Sequence, residues 1–173
     1  MHTRKAILPD SVPIQELIAL NVQTGALLPR SLPEICENVR DFVVVEEEPG
    51  GRLIGCGALH LYGTHLAEIR SISVDPAAQG KGAGRRLVKA LLQEAARHHV
   101  AGVCLFTRIP DFFAKLGFSI TALTDLPDKI YKDCLQCPRL NACDEVAMVK
   151  GEVPKMTILQ QAGMFARPIK LNV

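Results

Sequence analysis

Apolar and polar positions recur with different periods along the chain and divide it into short elements. Apolar residues at every second position, or in short continuous runs, predict strands, whereas apolar residues three and four positions apart predict helices. Strands are predicted at residues 3–8, 42–47, 52–61, 65–74, 102–107, 118–121 and 146–149. Helices are predicted at about residues 9–21, 31–40 and 110–116, and a long helix follows the glycines at 80–84 and ends near residue 98.

Turn residues indicate how these strands are connected. The sequence Glu48-Pro49-Gly50-Gly51 separates two strand-like runs and predicts an antiparallel hairpin. A third strand, the long helix and a further strand follow, which predicts a β-α-β crossover. This order favours an α/β fold with a mixed, mostly antiparallel sheet of about six to seven strands flanked by helices.

The chain has 173 residues, of which 48% are hydrophobic and 22% charged, as expected for one globular domain. We place this domain at residues 1–150 and treat residues 151–173 as a C-terminal tail, which would dock on the domain or on a second subunit. A homodimer is therefore left open.

The net charge of +2 argues against a general nucleic-acid binder. No apolar run approaches the roughly 20 residues of a membrane span, so no membrane partner and a cytoplasmic location are expected.

Six cysteines are present, and they are expected to be free thiols because no export signal is recognisable. Three of them cluster as Cys134-x2-Cys137-x5-Cys143 in a loop at residues 122–145. With Asp144 or a distant histidine, these thiols would supply the ligands of a structural zinc. A reduced loop and a reversible disulfide explain the same cluster, so no metal site is assigned.

A glycine-rich turn at residues 79–84 joins a predicted strand directly to the long helix. Glycines let the backbone turn tightly and expose its N–H groups, at the positive end of the helix dipole. Lys81, Arg85 and Arg86 add positive charge, so the turn predicts a site for a phosphate or pyrophosphate. A Walker A loop is excluded because Gly82 follows Lys81, and a dinucleotide fingerprint is excluded because Arg85 takes its third glycine position.

Two motifs resemble those of the GNAT N-acetyltransferases. Gln79-Gly80-Lys81-Gly82-Ala83-Gly84, after a strand that ends Ile72-Ser73-Val74-Asp75-Pro76, resembles the acyl-CoA loop of that family. Phe112–Phe118 resembles its later helix-to-strand motif. The resemblance covers most of residues 3–150, and it implies the GNAT fold, with splayed central strands, and acetyl-CoA as cosubstrate.

The resemblance also implies where coenzyme A would bind. Backbone amides of the turn would hold its pyrophosphate, and its pantetheine arm would pair with the strand before the turn. A backbone N–H near Ile72 would polarise the thioester carbonyl. The cofactor-binding residues implied in this way are Ile72, Ser73, Val74, Gln79, Gly80, Lys81, Gly82, Ala83, Gly84 and Arg85.

Three further segments resemble the short, single-domain N-acetylglutamate synthases, a group of amino-acid N-acetyltransferases. These segments are residues 25–31, 67–74 and 126–131. The resemblance implies that acetyl is transferred from acetyl-CoA directly to the α-amine of L-glutamate, a step of arginine biosynthesis. A different amine acceptor and a non-enzymatic acyl-CoA sensor are the alternatives.

Glutamate carries two carboxylates, so its pocket needs two cationic anchors. The candidates are Arg30, Arg70, Lys129 and Arg139. Arginine suits a carboxylate because its planar fork donates two parallel hydrogen bonds.

Strand periodicity places Glu68, Arg70, Ile72 and Val74 on one face, the side facing coenzyme A, unless a bulge intervenes. An ion pair between Glu68 and Arg70 is the alternative to a functional role for these two charges.

Three residues are predicted to carry the chemistry. Glu68 is the candidate base, directly or through a water, for the amine that attacks the thioester. Many GNAT enzymes have a tyrosine where this sequence has Phe113, so the role of donor to the departing thiolate is vacant there. Thr107 and Tyr131 are the candidates for that role.

Overall fold

Seven strands and five α-helices are present in the described part of the chain. The computed structural model describes residues 1–23, 27–137 and 139–153. The strands are β1 (His2–Lys5), β2 (Phe42–Glu46), β3 (Leu53–Leu61), β4 (Leu66–Val74), β5 (Gly102–Thr107), β6 (Ser119–Ile120) and β7 (Val146–Gly151). The helices are α1 (Ser11–Gln23), α2 (Leu32–Glu37), α3 (Ala83–Arg97), α4 (Pro110–Ala114) and α5 (Pro127–Lys132).

All seven strands belong to one sheet, in the order β1-β2-β3-β4-β5-β7-β6. Neighbouring strands are antiparallel except β4 and β5, which are parallel. The pairing of β4 with β5 starts at Leu66 with Gly102 and ends at Glu68 with Cys104. Beyond this point β4 stays with β3 and β5 stays with β7, so the sheet opens as a V. The predicted fold class, with its splayed central strands, is confirmed.

Helix α3 packs on one face of the sheet and helix α1 packs on the other. Leu87 and Leu91 of α3 are fully buried in the core of the first face, and Ile14 of α1 is fully buried in the core of the second. Burial of each such side chain stabilises the fold by about 1.5–3 kcal/mol. Gly57 in β3 lets α3 come close, because a Cβ there would lie 3.1 Å from Leu91 Cδ1 and 3.3 Å from Ile72 Cγ1.

A β-bulge in β4 shifts the alternation of its side chains by one residue. Between Arg70 and Ser73 the register with β3 changes, so that Ser71 and Ile72 both lie opposite Gly57. Ser71 has a φ of 54°, in the left-handed region. Such a bulge re-aims the side chains beyond it.

The prediction of one shared face in β4 is wrong because of this bulge. Ile72 and Val74 pack against the core under α3. Glu68 and Arg70 lie on the opposite face, where their side chains meet residues of β3 and α5. A strict period of two holds only as far as the bulge.

Most other predicted elements are confirmed, and the differences have local causes. The first strand ends early, at Lys5, because Leu8–Asp10 form a 3-10 turn whose last residue is held by Arg4 through bonds of 2.6 and 2.9 Å. Helix α2 ends at Glu37, where a second 3-10 turn, Val39–Asp41, leads into β2.

Helix α5 lies in a region for which the sequence predicts irregular structure. Its six residues carry two lysines and an aspartate and show no apolar period, so periodicity could not reveal it. The predicted tail lies largely outside the described residues, which end at 153. Within the described residues, no helix combines the length and the apolar character that crossing a membrane requires.

Candidate active site

The glycine turn exposes its backbone amides at the N-terminus of α3. Gly80 and Gly82 have φ values of 74° and 92°, a conformation that strains residues with a Cβ. Gly82 is the N-cap of α3, and the first N–H groups of a helix have no partner within it. Asp75 fixes the entry to the turn by accepting a hydrogen bond of 2.8 Å from the Ala77 amide. The turn from Gln79 to Gly82 is exposed, so an anion could approach these N–H groups.

Both motifs of the sequence analysis meet at this turn. Lys81 and Arg85 are exposed beside it. Gly84, in the first turn of α3, faces Phe112 of α4, since a Cβ on Gly84 would lie 3.4 Å from Phe112 Cζ. Ala83 is buried and anchors the helix to the core. The turn is thus held rigidly while its amides stay open.

Residues 72–74 connect β4 to the glycine turn, and their side chains already contact other parts of the protein. The Ser73 hydroxyl donates a hydrogen bond of 2.6 Å to the Leu17 carbonyl of α1, and Ile72 and Val74 pack in the core. What remains for a ligand is the backbone. β4 has left β5 at this point, and at the bulge the regular pairing of β4 with β3 is disrupted.

Glu68 lies where β4 and β5 part, and only 2% of the residue is exposed. Its Oε1 accepts a hydrogen bond of 2.7 Å from Lys129 Nζ, and its Oε2 accepts one of 2.7 Å from the Tyr62 hydroxyl. Burial, reinforced by the negative charge of Glu68, raises the pKa of Tyr62, which therefore stays a donor. The alternative pairing of Glu68 with Arg70 is wrong, because Lys129 is the cation that Glu68 contacts.

Lys129, on α5, connects Glu68 to a second carboxylate. Its Nζ also donates to Asp133 Oδ2 at 2.8 Å and lies 5.1 Å from the centroid of the Phe106 ring. Burial acts to lower the pKa of Lys129, but the negative charges of Glu68 and Asp133 outweigh burial and raise it. The ammonium is therefore charged at neutral pH, between two anions.

Arg70 contacts this group from the side. Its Nη1 lies 3.9 Å from Asp133 Oδ2, and its Nη2 lies 3.1 Å from His60 Nδ1. Lys132 Nζ lies 2.7 Å from His60 Nε2. Burial, with the positive charges of Arg70 and Lys132, lowers the pKa of His60 to about 4. A neutral imidazole has one acceptor nitrogen, so it serves one of the two cations at a time.

A cavity of about 550 Å³, which we call the acceptor cavity, opens beside this cluster. It brings together Arg30 and Lys129, which lie far apart in the sequence. Arg30 also forms an ion pair with Glu34 of α2 and shares a second space of only about 10 Å³ with Arg70. The described lining of the acceptor cavity is Leu28, Pro29, Arg30, Phe106, Thr121, Leu123, Lys129, Lys132, Asp133, Cys134, Cys137, Cys143, Glu145, Val146 and Ala147.

The candidate donors for the thiolate lie outside this lining. Thr107 is buried at the end of β5, and its Oγ1 accepts a hydrogen bond of 3.0 Å from the Ile109 amide, so its own proton remains available for donation. Tyr131 is 55% exposed on α5. Phe113 is buried and packs edge-to-face on Phe112 and Phe118 at 4.9 and 6.0 Å.

The sequence analysis missed four residues of this cluster, namely Tyr62, Asp133, His60 and Lys132. The hairpin register places His60 opposite Glu68, and Asp133 follows Lys129 by four residues, a helical spacing for an ion pair. Both signals were present in the sequence, but the second needed α5 to be recognised.

Cys134, Cys137 and Cys143 all line the acceptor cavity as free thiols. Within the described ranges, no three or more histidine, cysteine, aspartate or glutamate side chains are grouped as a metal site.

Comparison with known proteins identifies the family. Residues 38–120 match the acetyltransferase (GNAT) domain model. An uncharacterized N-acetyltransferase of Chlorobaculum tepidum is 37% identical over 147 residues, which are 85% of this chain and 94% of that protein. An amino-acid acetyltransferase of Mycobacterium tuberculosis is 34% identical over 132 residues, 75% of either chain.

Among the solved structures that are similar is one with bound ligands. It is the N-acetylglutamate synthase of Neisseria gonorrhoeae in complex with coenzyme A and N-acetyl-glutamate, with a TM-score of 0.77 and 26% identity. The match covers 87% of this chain and 34% of that one. The splayed sheet, the amide-lined turn and these relatives together define an acetyl-CoA-dependent acetyltransferase, and the chain belongs to the GNAT family. Within that family it is related to the amino-acid acetyltransferases.

Proposed function

We propose that this enzyme transfers the acetyl group of acetyl-CoA to the α-amine of L-glutamate. The observation that carries the proposal is the acceptor cavity, in which Arg30, Lys129 and Lys132 line one space next to Glu68 and Asp133. A neighbouring structure contains N-acetyl-glutamate, the product of the same reaction, in a related fold. Arginine biosynthesis, a cytoplasmic location and a homodimer stay predictions.

The alternation of charges in the cavity suits an amino acid with an acidic side chain. Its ammonium group needs an anion, which Glu68 and Asp133 supply, and its two carboxylates need cations, which Arg30 and Lys129 supply. Arg70, which contacts Asp133, is the further candidate. A polyamine would be repelled by the same cations, because bringing like charges together without water between them costs free energy.

Glu68 is proposed as the base that frees the amine for attack. A carboxylate has room for about four hydrogen bonds, so the two donors that Glu68 already accepts leave space for the acceptor ammonium or for one water. The proton moves from the ammonium to Glu68 or to that water. The free amine then forms a bond to the thioester carbon, and no covalent enzyme intermediate is needed.

The backbone of β4 is proposed to stabilise the oxyanion that this attack creates. The amide near Ile72 lies at the bulge, where the pairing of β4 with β3 is disrupted, and a fixed N–H aimed at the developing charge lowers the barrier. The thiolate of coenzyme A leaves last, and the nitrogen gives up its second proton to that thiolate or to solvent, which leaves a neutral amide. Thr107 or Tyr131 would donate a hydrogen bond to it, and a thiolate with a pKa of about 8.5 can also leave unaided.

A panel of acceptors tests the proposal. Thiol release from acetyl-CoA is measured with the full chain and L-glutamate, L-glutamine, L-aspartate, L-arginine, spermidine or a short peptide. L-glutamate is expected to give the highest kcat/KM. A higher kcat/KM with L-glutamine or spermidine would contradict the glutamate assignment, and no stimulation by any acceptor would favour the acyl-CoA sensor.

A further inference from the structure

Three cysteines line the acceptor cavity although the proposed chemistry uses none of them. Cys134 is the first residue of a 3-10 turn, Cys134–Gln136, and Cys137 is the C-terminal cap of that turn. The Cys137 amide donates a hydrogen bond of 3.0 Å to the Cys134 carbonyl. Both side chains contribute to the lining of the cavity. The pair is therefore fixed at a position where a change in it can affect the acceptor.

The turn holds this pair at a spacing that a disulfide can bridge. A turn closed between residues i and i+3 keeps their Cα atoms within about 7 Å, and disulfides span about 4.4–6.8 Å between Cα atoms. In a 3-10 turn the side chains at i and i+3 also eclipse one another. Cys143 caps a separate 3-10 segment, Leu140–Ala142, so it does not share this turn.

The same turn begins at a residue that positions Lys129. Asp133 is its N-cap, and Asp133 Oδ2 accepts the hydrogen bond of 2.8 Å from Lys129 Nζ. A covalent link between the two side chains would join their sulfur atoms in the cavity lining and restrain the turn next to Asp133. The link would thereby restrict how Asp133 and the Lys129 ammonium adjust to the acceptor, whereas the glycine turn lies elsewhere, between β4 and α3.

We propose that Cys134 and Cys137 form a reversible disulfide that weakens acceptor binding. This inference concerns the regulation of the proposed acceptor site and rests on the proposed function. The oxidant is a low-molecular-weight disulfide such as oxidised glutathione.

The exchange begins at Cys137, whose Sγ accepts a hydrogen bond of 3.4 Å from the Arg139 amide. Burial raises the pKa of Cys134, which makes Cys134 the poorer first nucleophile.

The disulfide forms in two exchange steps. The Cys137 thiolate attacks one sulfur of oxidised glutathione, forms a mixed disulfide and releases one glutathione thiolate. Cys134 then loses its proton to solvent, attacks the Cys137 sulfur and releases the second glutathione thiolate. Two protein thiols are oxidised, and one glutathione disulfide is reduced to two thiols.

The test equilibrates the full chain with defined mixtures of reduced and oxidised glutathione. After an acid quench, free thiols are alkylated and the disulfide is located by peptide mass mapping. N-acetylated product is followed by chromatography, since glutathione would react with a thiol-detecting reagent. We expect a Cys134–Cys137 link, a KM for L-glutamate raised about fivefold or more, an unchanged KM for acetyl-CoA, and full reversal by reduced glutathione.

Single substitutions distinguish this pair from the other thiols. Cys137→Ser is expected to abolish both the link and the change in KM between oxidising and reducing buffer. Cys36→Ser, which alters a thiol of α2 outside the described cavity lining, and Cys143→Ser are each expected to retain both. The comparison is made within each variant, so its absolute activity does not enter.

Several results would overturn the inference. They are a link from either thiol to Cys143, a stable mixed disulfide without a second exchange, an unchanged KM in the linked protein, and a zinc ion retained by these thiols that blocks alkylation. If the reduced chain acetylates no acceptor, the proposed function fails and the regulatory part of the inference fails with it. The thiol map still decides in that case whether the link forms.

Discussion

The glycine turn at residues 79–84 and the acceptor cavity are built in different ways. The turn presents backbone N–H groups, and its geometry depends on Gly80 and Gly82, whose φ values are positive. The cavity presents charged side chains from distant segments, with Arg30 before α2 and Lys129 on α5. A backbone site can be encoded in six consecutive residues, whereas a side-chain site requires the whole fold to bring its parts together.

This difference has a consequence for how each site tolerates change. Backbone amides survive most substitutions, so a variant weakens the turn mainly by straining its conformation. Charged side chains are removed outright by substitution, and removal of Lys129 leaves the buried Glu68 without its counter-charge. The acceptor side is therefore expected to show the larger effects.

The largest effect is expected from Glu68→Gln. The amide keeps the shape and can still accept from Tyr62, but it cannot take a proton, so kcat should fall by about 10²–10⁴-fold. The affinity for coenzyme A should stay as in the unsubstituted chain, because Glu68 is not part of the turn. Steady-state kinetics and a coenzyme A binding titration measure the two quantities. Glu37→Gln, on the exposed side of α2, is the matched control, and a normal kcat in Glu68→Gln would remove Glu68 as the base.

Lys129→Met should act on the acceptor and on stability together. Loss of one charged hydrogen bond to the acceptor is expected to raise the KM for L-glutamate about 10–100-fold. Glu68 then remains buried without its cation, which should lower the free energy of unfolding by about 3 kcal/mol. Kinetics and urea denaturation measure these effects. Lys115→Met, at an exposed position, should change neither, and an unchanged KM in Lys129→Met would exclude Lys129 as an anchor.

Gly82→Ala should affect coenzyme A binding at the glycine turn and leave the acceptor cavity unchanged. A residue with a Cβ pays about 1–2 kcal/mol at this φ of 92°, so the Kd for coenzyme A should rise about tenfold. Gly50→Ala is a sharp control, because Gly50 also has a positive φ, 75°, with nothing within 4 Å of its Cβ, but lies in the β2–β3 hairpin turn. It should lose stability without losing affinity. Equal loss of affinity in both variants would mean that only global stability is measured.

The smallest expected effect concerns His60 and pH. Its pKa falls from 6.5 in the unfolded chain to about 4 in the fold, so the unfolded state binds a proton that the folded state rejects. Stability should therefore decrease as the pH is lowered from 6.5 towards 4. His60 is partly exposed, so solvent screening reduces this penalty to about 1 kcal/mol, or a Tm decrease of about 2–4 °C. Thermal unfolding of His60→Gln should show a smaller decrease, and an identical pH profile would contradict the assignment.

The sequence allowed the backbone site at the glycine turn to be predicted more completely than the side-chain site in the acceptor cavity. The hairpin, the crossover, the long helix and the glycine turn depend on local spacing, and the structure contains all four, while phosphate binding at the turn stays a prediction. The shared face of Glu68, Arg70, Ile72 and Val74 was wrong because the bulge at Ser71 needs a positive φ at a residue that gives no sign of it. Helix α5 was missed because its six residues show no apolar period, and its contact with Glu68 of β4 is the charge pair made by Lys129. Tyr62 and Asp133 were missed with it.

The most direct test of the account is a crystal structure of the enzyme with coenzyme A and L-glutamate. We predict that the pyrophosphate lies against the amides of residues 79–84. We also predict that at least one glutamate carboxylate lies within about 3 Å of a guanidinium or ammonium nitrogen of Arg30 or Lys129. The glutamate amine should lie within reach of Glu68, directly or through one water. Glutamate bound outside the acceptor cavity, or with both carboxylates away from Arg30 and Lys129, would contradict the account.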